Sequence, residues 1–151
     1  MVKAKLDLLK KLRNETSASI ADLRKALEET NNDYKKALAW IKKHGIEKAG
    51  KKSDRQTTQG VIDAYVHQNG KVGVMIELLC ETDFVARTNE FKNLAHEIAM
   101  QVAAMKPSDV DSLLKQEYIR DSSLTIQDLI KRTIAKLGEN VVLKRFERFE
   151  I

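Results

Sequence analysis

The sequence predicts an α+β protein in which a small N-terminal three-helix bundle precedes a three-stranded antiparallel sheet packed with helices. Two changes along the chain carry this reading. Apolar residues recur at helical spacing through the first 45 residues and switch to alternation after Gly60. Charge divides near the same place: residues 1–55 hold 15 Lys and Arg against 8 Asp and Glu, and the remaining 96 hold 12 against 14. The units expected on this basis are residues 1–52, the bundle with the start of a linker, and residues 53–151, the α+β core.

In the bundle, Leu6, Leu8, Leu9 and Leu12 form the first helical stripe. Ser19 with Asp22 resembles a capping box, and Ile20, Leu23, Ala26 and Leu27 give the second helix its face. Asn31 and Asn32 break that helix, and Asn32 or Asp33 starts a third with Tyr34, Ala37, Leu38 and Ile41 on one side. Gly45 stands where a helix C-terminus favours a left-handed residue, so the third helix is expected to end there or to fray onward. Trp40 fits either the bundle core or its rim. Lys48–Gln59 has almost nothing to bury and reads as a linker.

Val61–His67 and Val72–Leu79 are β-rich, and Asn69-Gly70 between them suggests a tight turn with both central residues at positive φ. Val72, Val74, Ile76, Leu78 and Cys80 share one face of the second strand by period two. A helix follows with Phe91, Leu94, Ala95, Ile98, Ala99 and Val102 on one side, stopping before Pro107, the only proline. Lys106–Ser123 is polar and carries no clear pattern. Thr125 with Asp128 opens another helix that runs to Gly138, and Val141–Ile151 closes the chain as a strand. Phe146 and Phe149 break that strand's alternation and imply a bulge. The expected order in the core is thus β-β-α-α-β.

Composition excludes more function classes than it suggests. Hydrophobic residues are 42% and charged residues 32%, and no apolar run approaches the roughly 20 residues of a membrane span. Interleaved lysines and leucines at the N-terminus do not read as a secretory signal, and one cysteine, Cys80, fits a reducing compartment. A cytoplasmic protein is the expectation. His44, His67 and His96 have no partners at metal-ligand spacing, and no glycine-rich loop could cradle phosphate. Cys80 has no basic sequence neighbour to activate it, and Glu77, Glu81 and Asp83 read as solvated carboxylates at a strand end. No catalysis, no metal and no cofactor is expected. Aromatic residues are only 5%, which gives stacking on nucleic acid little material.

Thr82-Asp83-Phe84-Val85 is the odd segment. It connects the apolar strand to the helix cap, so a tight turn presents it. Phe84 or Val85 tucked under the sheet is the structural reading. The functional one is an exposed Phe84 entering a partner's pocket, with Asp83 delivering charge beside it.

The run CETDFVAR, residues 80–87, resembles the signature of the elongation factor Ts family, and NEFKNLAHEIAMQVAA after it is the fitting helix. Upstream, LRNETSASIADLRKALEETNNDYKKALAWIKKHGIEKAGKK resembles that family's ubiquitin-associated-like domain, and IAKLGENVVLKRFERFEI resembles its closing helix and strand. The resemblance implies a non-enzymatic guanine-nucleotide exchange factor whose partner is elongation factor Tu. It implies that Asp83 and Phe84 intrude near the partner's magnesium and phosphate site, flanked by Thr82 and Val85. It implies a second contact formed by Arg13, Ser19 and Ile20. The family usually has glycines where Ser17 and Ser19 stand, methionines at Ile20 and Ala21, an asparagine at Leu79, and a longer segment between Ala104 and Thr125.

Two other classes fit the residues: a binding module using a ubiquitin-associated-like domain, and a basic ribosome-associated or nucleic-acid-associated protein. Selective capture of elongation factor Tu separates the first, and a steep salt dependence of binding marks the second. No direct nucleic-acid contact and no membrane are expected. A homodimer through exposed sheet and a monomer protected by the charged edge Lys144–Glu147 both fit the sequence.

Overall fold

A computed structural model describes residues 2–151. Its first helices begin and end through local chemistry. Helix α1 (Leu6–Thr16) stops at Ser17, whose φ of 53° is left-handed. The Ser19 hydroxyl accepts from the Asp22 amide at 3.2 Å and opens α2 (Ile20–Glu29). Asp33 does the same for the Lys36 amide at 3.0 Å and opens α3 (Tyr34–Gly50). Leu9, Leu12, Leu23, Ala26, Leu27, Ala37 and Ile41 close over one another as the bundle core. Leu6 departs from its expected place: at the first turn of α1 it remains exposed. Trp40 lies on the rim, its ring nitrogen donating to Glu29 at 2.7 Å and its face stacked on His44.

Gly45 does not end the third helix, which continues to Gly50. A side chain at 45 would stand 3.0 Å from the Ala135 methyl, so glycine here serves the close approach of α3 to α7 (Ile126–Leu137). Tertiary packing outweighs the roughly 1 kcal/mol that an interior glycine costs a helix. One turn further on, Ala49 is buried in the second core, among residues of the sheet and its helices.

The second core is built on a sheet in the order β1-β2-β5, with both pairings antiparallel: β1 (Gln59–Val66), β2 (Val72–Cys80) and β5 (Val141–Glu150). Val74, Ile76, Leu78 and Cys80 face inward with Val141 and Leu143, under Phe91, Leu94, Ile98 and Val102 of α5 (Asn89–Met105) and Ile130 and Ile134 of α7. The β1–β2 turn differs from the expected two-residue form. Gly70 alone has positive φ, at 68°, while the Asn69 side chain accepts from the Lys71 amide at 3.0 Å. The connection is longer than two residues, so only its last turn position needs the left-handed state. Strand β5 does slip: Glu77 pairs with Arg145 and Leu78 with Leu143, leaving Lys144 as the extra residue. Beyond it Phe146 packs against the core and Phe149 points to solvent.

Three additions complete the expected β-β-α-α-β order. A single turn, α4 (Asp83–Ala86), follows β2, and the segment without clear pattern forms α6 (Val110–Lys115) and a small ladder of β3 (Glu117–Tyr118) with β4 (Asp121–Thr125). Buried Gln101 on α5 organises this stretch, donating to the Glu117 carbonyl and accepting from the Ile119 amide, both at 3.0 Å. A polar residue on an otherwise apolar helix face gave no periodic signal.

The end of α5 is tied to the last strand. Arg148 donates to the Ala103 carbonyl at 3.0 Å and to Glu150 at 2.7 Å, and Lys106 reaches Glu150 at 2.7 Å. Hydrogen bonds from Lys106 and Arg148 hold the Glu150 carboxyl down to about 2. A depressed folded-state value stabilises above the ordinary carboxylate range and loses that contribution as pH falls toward 2. Denaturant melts between pH 6 and 2 are therefore expected to show a shallower acid destabilisation for Glu150→Gln than for the unaltered chain. At Ser17 the left-handed backbone disfavours a side chain, so Ser17→Gly is expected to raise unfolding free energy by about 0.5–1 kcal/mol in the same assay.

Candidate functional site

The last inward residue of β2 is Cys80, fully buried, and the chain leaves the sheet immediately after it. Burial is the largest influence on its thiol, with the Glu139 charge next, and together they push it up to about 11. Such a thiol is protonated near neutrality and inert as a nucleophile. Its sulfur contacts the Thr82 carbonyl at 3.1 Å, which begins the turn.

Thr82 caps α4, and Val85 and Ala86 face the core from it. Successive helical residues rotate by about 100°, so Phe84 is carried round to the outside. It is 80% exposed, among the most open large apolar side chains of the protein. Leaving a phenylalanine in water forgoes roughly 2–3 kcal/mol of burial. Asp83 is half-buried beside it and pairs with Arg87 at 2.9 Å, one turn along.

The turn is held from across the fold by the loop between α7 and β5. Gly138, left-handed at φ 79°, ends α7 and releases Glu139 toward Thr82. One Glu139 oxygen accepts from the Glu81 and Thr82 amides at 3.1 and 3.0 Å, and the other accepts from the Thr82 hydroxyl at 2.6 Å. In return the Asn140 amide donates to the Glu81 carboxylate at 2.7 Å. The buried Asn140 side chain donates to the carbonyls of Ser53 and Arg55 at 3.3 and 2.9 Å, fastening the segment after α3 to the same place. Glu139 and Asn140 stand 57 to 87 positions from the groups they bind, and sequence spacing offered no pointer to them.

The other expected contact residues lie on the bundle. Arg13 is exposed near the end of α1, and Ser19 and Ile20 are exposed at the start of α2. Thr82, Asp83, Phe84 and Val85 are thus gathered on one turn, and Arg13, Ser19 and Ile20 around the α1–α2 connection. No hydrogen bond or ion pair joins the two groups among the described residues. Between bundle and α7 runs a cleft of about 360 Å³, lined by Ser19, Asp22, His44, Lys48 and Arg132 among others. Lys48 binds the Asp22 carboxylate there at 2.8 Å. Burial would raise the Asp22 carboxyl, but Lys48 and Ser19 more than offset this and hold it below its ordinary value.

This turn-and-helix arrangement falls within residues 81–151, which match the family described as Elongation factor TS. Over the whole chain, elongation factor Ts of a Nostoc species is 46% identical across 151 residues, although these make up only 48% of that protein. Chloroplastic elongation factor Ts of Guillardia theta is 41% identical over 189 positions, covering 95% of this chain and 86% of that one. The chain belongs to the elongation factor Ts family. Elongation factor Ts of Thermotoga maritima, 42% identical, aligns with 97% of this chain and 95% of its own length. The Guillardia and Thermotoga alignments extend over 189 positions against 151 residues here, so those two relatives carry segments without a counterpart in this chain, whereas the Nostoc alignment takes up 151 positions.

Among the described residues no His, Cys, Asp and Glu group could hold a metal ion, and no helix is long and apolar enough to cross a membrane. The exposure of Phe84 yields a direct expectation. Phe84→Ala is expected to leave the unfolding free energy within about 0.5 kcal/mol, the usual range for surface substitutions, whereas Phe91→Ala, fully buried on α5, costs about 3–5 kcal/mol. Chemical denaturation of the two variants side by side checks this, and a large loss for Phe84→Ala would return that ring to the core.

Proposed function

We propose that this protein is a non-enzymatic guanine-nucleotide exchange factor acting on elongation factor Tu during translation elongation in the cytoplasm. The observation that carries the reading is Phe84, an apolar ring held almost wholly in water on a turn whose backbone is fixed by Glu139. Family membership supports elongation factor Tu as the partner, and the exposed ring supports insertion as the means. Phe84 enters the nucleotide-binding domain near its magnesium and phosphate site, with Asp83 bringing negative charge beside it. Thr82 and Val85 hold the turn, and Arg13, Ser19 and Ile20 make a second contact through the basic bundle.

Exchange by such a protein needs no acid or base. The factor binds the empty partner more tightly than the occupied one, and by linkage the nucleotide weakens the factor by the same ratio. A coupling of about 4 kcal/mol corresponds to roughly a thousandfold change in affinity. Displacing the metal's surroundings removes part of what holds the phosphates and raises the off-rate. Incoming GTP then reverses the sequence and expels the factor.

Release of a fluorescent GDP analogue from purified elongation factor Tu tests this. The full chain is expected to accelerate release without hydrolysing GTP, and Phe84→Ala to abolish most of the acceleration. Asp83→Asn, which keeps shape and removes charge, is expected to lose less. Unchanged release at saturating factor would sink the proposal.

A further inference from the structure

Glu139 sits in an electrostatically unfavourable place for its own helix. It directly follows the C-terminal cap of α7, where carbonyl dipoles point and a carboxylate is repelled. Nothing in α7 is served by it. Its oxygens accept instead from the Glu81 amide, the Thr82 amide and the Thr82 hydroxyl, the three donors at the root of the Phe84 turn. Charge-assisted bonds of this kind are the stronger class, and a carboxylate shared by two adjacent backbone amides fixes their orientation. The Val85 amide reaches the Thr82 hydroxyl at 3.4 Å, a weak bond, so α4 by itself is loosely capped. Four residues make too short a helix to set its own direction. Val85 and Ala86 anchor its inner side, and Glu139 is what aims its start.

We propose that Glu139 is a positioning residue for nucleotide exchange: it makes no contact with the partner but holds Thr82 so that Asp83 and Phe84 leave the sheet in the orientation that enters it. This role rests on the exchange reading above. Released from Glu139, the turn samples several directions, and only a fraction of encounters present Phe84 correctly. The loss then appears in the maximal release rate, since misplacement near 1 Å at a working group costs up to about a hundredfold. Arg13, Ser19 and Ile20, on the bundle, are untouched by the change, so association through them persists.

The experiment compares the full chain with Glu139→Ala, Glu139→Gln, Phe84→Ala and the Phe84→Ala/Glu139→Ala double variant. GDP release from elongation factor Tu is followed over a range of factor concentrations. Glu139→Ala is expected to lower the saturating rate about tenfold or more, with a much smaller change in the half-saturating concentration. Glu139→Gln retains an oxygen for the two amides and an amide group for the Thr82 hydroxyl, and is expected to recover most of the rate. In the Phe84→Ala background, removing Glu139 should change nothing further, because the two act as one unit. Amide hydrogen exchange gives a readout independent of the partner: Glu81 and Thr82 should lose protection in Glu139→Ala while the Phe91 amide keeps it. Should Glu139→Ala fail to fold, the same comparisons run on Glu139→Gln, whose weaker, uncharged bonds predict faster exchange of the two amides and a modestly lower rate. A chain that releases GDP normally without Glu139 overturns the positioning role alone. Failure of the unaltered chain to release GDP overturns the exchange reading and the positioning role with it, whereas additive losses in the double variant assign Glu139 to general stability.

Discussion

The inward face of β2 is the constraint from which the rest follows. Val74, Ile76, Leu78 and Cys80 are all buried, and together with α5 they bring the largest apolar side chains of the sheet unit out of water. Each fully buried residue of this size contributes roughly 1.5–3 kcal/mol. Period two then dictates geometry as well as energy. A one-residue slip of β2 would turn the whole set outward, so its register is fixed, and the fixed register makes Cys80 the last anchored position. Where Phe84 stands is therefore decided by the sheet core, four residues earlier in the chain.

An exposed ring on a tight turn and a stable core make opposite demands. Apolar residues next to a sheet tend to fold under it, and a flexible connection after Cys80 would let Phe84 do so. The protein prevents this with polar bonds rather than with bulk. Glu139 and Asn140 meet Glu81 and Thr82 in a reciprocal exchange, each loop providing a carboxylate to the other's backbone amide. Such partly buried networks are costly when half satisfied and rigid when complete. Here the buried Asn140 is satisfied on both its backbone and its side chain, and its side-chain bonds reach the chain segment that leaves α3.

That connection brings the bundle into the same framework. Helix α3 begins in the bundle core at Ala37 and Ile41, passes α7 at Gly45, and buries Ala49 in the sheet core. A rigid helix crossing both cores fixes a spacing between the α1–α2 connection and the Phe84 turn. On the exchange reading proposed above these are the two contact surfaces, and a pair at a set distance binds a partner of matching shape with less entropy lost than a pair on a loose tether.

Much of this was legible in the residues because the signals were local. Helical spacing placed the helix faces, alternation placed β2, and Ser19, Thr125 and Gly138 marked helix ends through bonds that span three or four residues. The residues Thr82–Val85 marked a turn between a strand's last inward position and a helix cap, but left Phe84 either tucked under the sheet or exposed; the resemblance of CETDFVAR to the elongation factor Ts family favoured exposure, and the fold decides it. What sequence could not decide were matters that depend on which segments meet. Gly45 has the look of a helix stop and is a helix contact, because Ala135 comes within reach only after α3 and α7 pack. Gln101 looks like a solvated residue and is buried, because its partners at Glu117 and Ile119 arrive from a segment without periodicity. Glu139 is one glutamate among many until the fold sets it against Thr82. Local hydrogen bonds and apolar periods are written along the chain; a carboxylate's partner more than fifty residues away exists only once the core has closed and set the two loops side by side.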